Sequence, residues 1–149
     1  MALVMSEAAN GGKKYRPYLV KDIIALDGTV IKHFDPVVER DLNIDPSVIS
    51  LVQEGLHEVS TVGTAAAMFK DFPVPIAGKT GTAENSHGRD HGWFVAYGPF
   101  DNPNIAVAVI VENAGYGATS AVPIGYKILS AAFGLDKPKT PENQPAPAQ

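Results

Sequence analysis

The chain has 149 residues, enough to bury a core within a single domain. Its 45% hydrophobic and 19% charged content is ordinary for a globular protein. A formal net charge of −4 with no stripe of Lys and Arg argues against a nucleic-acid partner, and the absence of cysteine excludes disulfides and thiolate metal sites.

No stretch approaches the ~20 apolar residues of a membrane span. Residues 1–5 are apolar but lack the basic flank of a signal peptide. If the protein is anchored to a membrane, its anchor is expected upstream of this sequence. Residues 2–10 read as the end of a helix stopped by Gly11 and Gly12. This helix is apolar from its first residue and has no N-cap, as though the sequence entered it midway.

From Tyr15 to Phe34 the chain reads as one hairpin. Val20, Ile23, Ile24 and Leu26 precede the Asp27-Gly28 turn, and Thr29, Val30, Ile31 and Phe34 follow it. A polar connection containing Asp35-Pro36 and Asn43 comes next. Asp45-Pro46 then predicts a helix start, because Asp accepts free N–H groups and Pro has none to leave unmet. Val48, Ile49, Val52, Leu56 and Val59 recur at helical spacing and predict one buried face, with the helix ending near Ser60. A short turn is expected over residues 65–69.

Three strands are predicted over residues 75–84, 91–97 and 105–112. The last is apolar on both faces, as expected of a central strand. The turn formers of residues 99–104 predict that the second and third strands are antiparallel neighbours. A final helix is predicted over residues 120–133, with Pro123 in its first turn and Gly134 past its end. Its expected apolar stripe is Ala121, Ile124, Ile128, Leu129, Ala132 and Phe133. Beyond Lys137 the Pro-, Ala- and Gln-rich tail reads as disordered.

The chemistry concentrates in Ala77-Gly78-Lys79-Thr80-Gly81-Thr82-Ala83-Glu84. A phosphate loop would need Gly five positions before Gly78, where Pro73 stands, and a helix directly after Lys79-Thr80. An extended active-site strand fits better: the Lys79 cation and the Thr80 and Thr82 hydroxyls are expected on one face, suited to a carboxylate. Gly81 would leave room for a substrate backbone, and the Thr82 N–H could serve half of an oxyanion hole.

Other polar groups have blander readings beside their chemical ones. Lys79 could be a solvated strand lysine. His87, Asp90 and His91 could suggest metal ligands, but they fall in a loop rather than on one helix face, and a structural loop is the simpler reading. Glu84 and Glu112 each end a strand, and nothing in the sequence fixes their separation. Trp93, Phe94 and Tyr97 read as core and sheet-face packing.

Lys79-Thr80-Gly81 resembles the third signature of the penicillin-recognising serine enzymes, whose other signatures are Ser-x-x-Lys and Ser-x-Asn. The resemblance runs through Ala9-Asn10-Gly11-Gly12, Arg16-Pro17 and Val62-Gly63-Thr64-Ala65 to the strand segment itself. It continues in His91-Gly92-Trp93-Phe94-Val95-Ala96-Tyr97, Asn102-Pro103, Ala106-Val107-Ala108-Val109 and Val111-Glu112-Asn113. In content and order this resembles the C-terminal part of class B penicillin-binding proteins, most like the elongation-type penicillin-binding protein 2 group.

That resemblance implies a mixed α/β (α+β) penicillin-binding, β-lactamase-like transpeptidase fold, with a largely antiparallel sheet flanked by helices. Residues 1–135 would be the C-terminal part of a D,D-transpeptidase domain, and 136–149 a disordered tail. Its implied ligands are peptidoglycan stem peptides ending in D-Ala-D-Ala and β-lactams, its partners cell-wall elongation proteins, and its location the extracytoplasmic side of a bacterial envelope. It implies no cofactor, metal or nucleic acid. Lys79 would complete the polar network around the nucleophile, Thr80 and Thr82 would hold the carboxylate, and the Thr82 N–H would pair with the nucleophile's own N–H.

The departure is as plain as the match. No serine here is followed by Lys three residues on, or by Asn two residues on. The chain is therefore expected to be a fragment that begins after both signatures, inactive alone. Its last strand is expected to lack a neighbour, leaving an open edge for self-association. Two other readings stay open, a non-catalytic peptide- or partner-binding module and a subunit completed by another chain.

Overall fold

A computed structural model describes residues 1–136, so all but the first residue of the tail expected over 136–149 lies outside the described residues. The elements are α1 (Ala2–Ala9), β1 (Lys13–Tyr15), β2 (Asp22–Ile24), β3 (Val30–His33), β4 (Val38–Asp41), α2 (Pro46–Thr61), α3 (Ala66–Phe69), β5 (Ala77–Ala83), β6 (His91–Gly98), β7 (Ile105–Val111) and α4 (Gly117–Ala132). All the strand pairs are antiparallel, and helices flank the main sheet, giving the expected mixed architecture.

The main sheet has the order β5-β6-β7. In β6, Phe94 and Ala96 face one layer, where they pack with Phe69, Phe72, Ala121, Val122 and Leu129 from α3, α4 and the connection after α3. Val95 and Tyr97 face the other layer, against Met5 of α1 and Leu56 of α2. Each strand side chain alternates between these layers.

Helix α4 sits unusually close to the sheet. Gly117, Ala121 and Gly125 recur every four residues on its inner face and are all buried. A Cβ at Gly117 would collide with the carbonyl oxygens of Trp93 and Gly81, and one at Gly125 with the Phe94 ring. This contact explains two departures from the expected helix. It begins at Gly117 rather than at Ser120, so Pro123 lies inside it instead of in its first turn. The small residues also turn the buried face away from Ile124 and Ile128, each 42% exposed.

Asp45 caps α2 as expected, accepting from the Ser47 N–H at 2.8 Å and its hydroxyl at 2.6 Å, and these bonds hold its carboxyl below the usual carboxylate range. The expected buried face is only partly realised. Leu56 and Val59 pack inward, whereas Val48 and Val52 are about half exposed. The predicted single hairpin is two nested pairs. β2 and β3 meet across the Asp27-Gly28 turn, where the Thr29 N–H bonds the Asp27 carboxylate at 2.9 Å. Outside them β1 pairs with β4, in the stretch expected to be a polar connection. Glu39 holds that outer pair through Lys14 and Arg16, each 3.2 Å away.

β6 is central, and β7 is the sheet's outer strand among the described residues, with the unneighboured edge expected of the last strand. Its doubly apolar pattern reflects cover on both faces: α4 lies over one, through Val107 and Val109, and α1 near the other, beside Ala106.

Glycine substitutions at Gly117 and Gly55 should have opposite signs. Gly55 is mid-helix with no neighbouring atom near its added Cβ, so Gly55→Ala should stabilise by about 0.5–1 kcal/mol. Gly117→Ala also gains helix propensity, but its methyl meets strand backbone that cannot rotate away. It should destabilise by about 1–3 kcal/mol in urea unfolding. Equal effects at the two positions would contradict the close-packing account.

Candidate functional site

β5 bounds the main sheet, with β6 on one side and no strand on its other edge among the described residues. α2 anchors its beginning. The Ser60 hydroxyl donates to the Ile76 carbonyl at 2.8 Å, and His57 Nδ1 lies 2.6 Å from the same oxygen, so its N–H donates there. His57 also stacks on Phe100 at 4.4 Å. These contacts fix the strand before the polar segment begins.

The register pairs Lys79 with Val95, Thr80 with Phe94, Gly81 with Trp93 and Thr82 with Gly92. Lys79 and Gly81 therefore share the layer of Trp93, Val95 and Tyr97, while Thr80 and Thr82 point to the layer of α4. This corrects the expectation of a cation and two hydroxyls on one face. Residues one and three apart in a strand point to opposite faces, so Lys79 cannot share a face with Thr80 or Thr82. What the three share is the open edge of β5.

Lys79 is exposed, and its Nζ donates to the Thr80 carbonyl at 2.7 Å. Thr82 is exposed, and Thr80 and Gly81 are half-buried. Gly81 has a packing reason to be glycine, since an added Cβ would lie 3.2 Å from the Trp93 Cβ. A cleft of about 330 Å³ runs along this segment, lined by Lys79, Thr80, Gly81, Thr82, Trp93 and Val95 among others. Trp93 thus borders the cleft, whereas Phe94 and Tyr97 are fully buried.

One further side chain, with no role expected from the sequence, joins these. The Thr64 hydroxyl, in the link between α2 and α3, lies 2.7 Å from that of Thr80. Its neighbours set it there: Gly63 sits tight against the Val59 backbone, and Ala65 is buried. The only sequence signal was its place in the Val62-Gly63-Thr64-Ala65 match, which carries no chemistry by itself.

The remaining candidates lie beyond the end of β5. His91 Nδ1 accepts the Asn113 N–H at 3.0 Å, and His87 Nδ1 lies 2.9 Å from the Ser86 hydroxyl. Neither forms part of a metal-type cluster of three or more ligands among the described residues.

Comparison with known proteins identifies the family and the fold. Residues 1–130 match the penicillin-binding protein transpeptidase domain. The chain is 36% identical over 140 residues to the peptidoglycan D,D-transpeptidase MrdA of Haemophilus influenzae, covering 80% of this chain and 21% of that protein. It is 33% identical over 156 residues to penicillin-binding protein 2A of Bacillus subtilis, covering 91% of this chain and 22% of that one. The fold is similar to that of penicillin-binding protein A from M. tuberculosis, solved as an imipenem acyl-enzyme complex, with TM-score 0.75 and 34% identity over 89% of this chain and 29% of that one. It is also similar to penicillin-binding protein 2B of Streptococcus pneumoniae, with TM-score 0.76 and 28% identity over 97% of this chain and 25% of that one. The chain thus spans between a fifth and a third of the length of these relatives. With its family match running almost from end to end of the described residues, the chain belongs to the penicillin-binding protein transpeptidase domain family.

Proposed function

We propose that this chain supplies the carboxylate-binding edge strand of a serine D,D-transpeptidase that cross-links peptidoglycan and is acylated by β-lactams. The observation that carries the reading is the open edge of β5, along which an ammonium and two hydroxyls border one cleft. Thr80 and Thr82 receive the terminal carboxylate of a D-Ala-D-Ala stem peptide or a β-lactam, and Lys79 faces it from the other side of the strand. The Thr82 N–H supplies one oxyanion donor. The attacking oxygen comes from outside these 149 residues, since no Ser-x-x-Lys occurs in them.

Similarity to MrdA, a peptidoglycan D,D-transpeptidase, and to a subunit of a peptidoglycan synthase complex supports an extracytoplasmic site of action in the bacterial envelope, beside other cell-wall synthesis proteins. The half-exposed apolar side chains of Val4, Val48 and Val52 support a surface that other parts of such an enzyme cover. The outer edge of β7, beside the 46% exposed Ile110, supports pairing with an added strand, by default from a second copy of this chain.

Three outcomes follow. Incubated with penicillin, the isolated chain should keep its own mass, and one penicillin adduct per chain in mass spectrometry would refute the division of labour. Sedimentation should show concentration-dependent dimers that dissociate when Ile110→Lys charges the strand, whereas a monomer at all concentrations would refute edge pairing. The third concerns Thr64. A carboxylate only accepts, so Thr80 must donate outward, and Thr64 must then donate to Thr80. Thr64→Val should weaken N-acyl-D-Ala-D-Ala binding about 5–10-fold, the worth of one hydrogen bond. Thr64→Ser should restore it, as read from the Thr80 and Thr82 amide resonances.

A further inference from the structure

We propose that His91 is a positioning residue: through its unprotonated Nδ1 it ties the segment between β5 and β6 to the connection between β7 and α4, and acidification releases that tie. The relevance to ligand binding rests on the reading of β5 given above; the tie itself does not.

His91 opens β6 and pairs with Ala83, one residue beyond Thr82. Its Nδ1 lies 3.0 Å from the backbone nitrogen of Asn113. A backbone N–H can only donate, so Nδ1 must carry the lone pair and Nε2 the proton. Asn113 has φ 54°, in the left-handed region that Asn tolerates better than most side chains. Its own side chain completes the link, because Asn113 Oδ1 accepts from Asn85 Nδ2 at 2.6 Å. Asn85 Oδ1 in turn accepts the His87 N–H at 3.0 Å. Nearby, the Gly115 N–H donates to the Asp90 carbonyl at 2.8 Å. The two connections are thus joined at three points, and Asn113 takes part in two of them.

Only one of those points can titrate. Protonation of Nδ1 would set an N–H against the Asn113 N–H, converting a bond into a repulsion. The charged groups nearest to His91 by chain position and strand register are Glu84 after β5, Arg89 and Asp90 in its own segment, and Glu112 before Asn113. His87 lies in the same segment. The first turn of α4, residues 117–120, carries no charge. None of these groups forms an ion pair with His91 among the described residues. The Asn113 bond is therefore the specific contact that its protonation state controls.

The test is amide exchange in the chain without ligand, corrected for intrinsic rates, at pH about 7.5 and about 5, which brackets the range where histidine changes charge. The Asn113 amide should lose protection at least about 10-fold at the lower pH, while Phe94 and Ala96 amides in β6 keep theirs. His91→Asn offers an Oδ1 acceptor that does not titrate, so Asn113 should stay protected at both pH values. His91→Phe should leave it unprotected at both. Unchanged Asn113 protection in His91→Phe, or the same acid loss in His91→Asn, would overturn the proposal. If His91→Phe fails to fold, the pH comparison between wild type and His91→Asn still decides. A separate titration with N-acyl-D-Ala-D-Ala follows Thr82. No response in the wild-type chain overturns the functional reading of β5 alone, because the Asn113 measurement contains no ligand.

Discussion

The structure turns on the seating of α4 against bare strand backbone. At Gly117 the helix meets the carbonyls of Gly81 and Trp93, and at Gly125 it meets the Cδ1–Cε1 edge of the Phe94 ring. Such close approach needs small residues on the helix, and it draws Phe69, Phe72, Val107, Val109 and Leu129 into one core around Phe94. Gly117 lies under the strand segment that carries Lys79 and the threonines. The same contact that closes the core therefore fixes the flatness and height of the candidate site.

This seating also decides what the site can present. With α4 covering one face, the polar segment is open along the outer edge of β5 and toward the cleft bordered by Trp93 and Val95. A strand edge exposes side chains of both faces together with the backbone groups between them. A ligand lying there can touch Lys79, Thr80 and Thr82 at once, although the first points away from the other two. Thr64 reaches the same edge from the link after α2, adding a third hydroxyl from outside the sheet. Edge presentation thus replaces the single polar face expected of the sequence.

The sequence made the main elements legible wherever local chemistry and tertiary packing agreed. Asp45-Pro46 marked a helix start because the cap is a local bond, and Asp27-Gly28 marked a turn for the same reason. It failed where packing chose among equally apolar options. Ile124 and Ile128 looked like core by spacing, but the glycines at 117 and 125 allow closer contact and turn the helix the other way. The apolar pattern of β7 reported the helices over its two faces and carried no information on which strands pair at its edges. The β1–β4 pair was hidden because its strands are short and exposed and are joined by long-range ion pairs at Glu39. At the site, the identity of the polar residues was readable, whereas their arrangement depended on strand alternation, and Thr64 depended on a contact sixteen residues away.

The electrostatics of the edge narrow what belongs there. Among the described residues Lys79 forms no ion pair, and its ammonium is met by the neutral Thr80 carbonyl. A carbonyl satisfies one of its three donors and none of its charge. The neighbouring side chains Thr80, Thr82 and Thr64 are uncharged and can all donate. A neutral ligand could use the hydroxyls but would add nothing to the exposed ammonium beside the cleft bordered by Trp93 and Val95. An anion satisfies both, because an acceptor-only group orders the hydroxyl chain in one direction while meeting the charge. On the proposed reading a carboxylate is thus favoured by the sense of the hydrogen bonds as much as by attraction: either hydroxyl of the Thr64–Thr80 pair can donate until an acceptor-only group takes the Thr80 proton, and Thr64 then donates to Thr80.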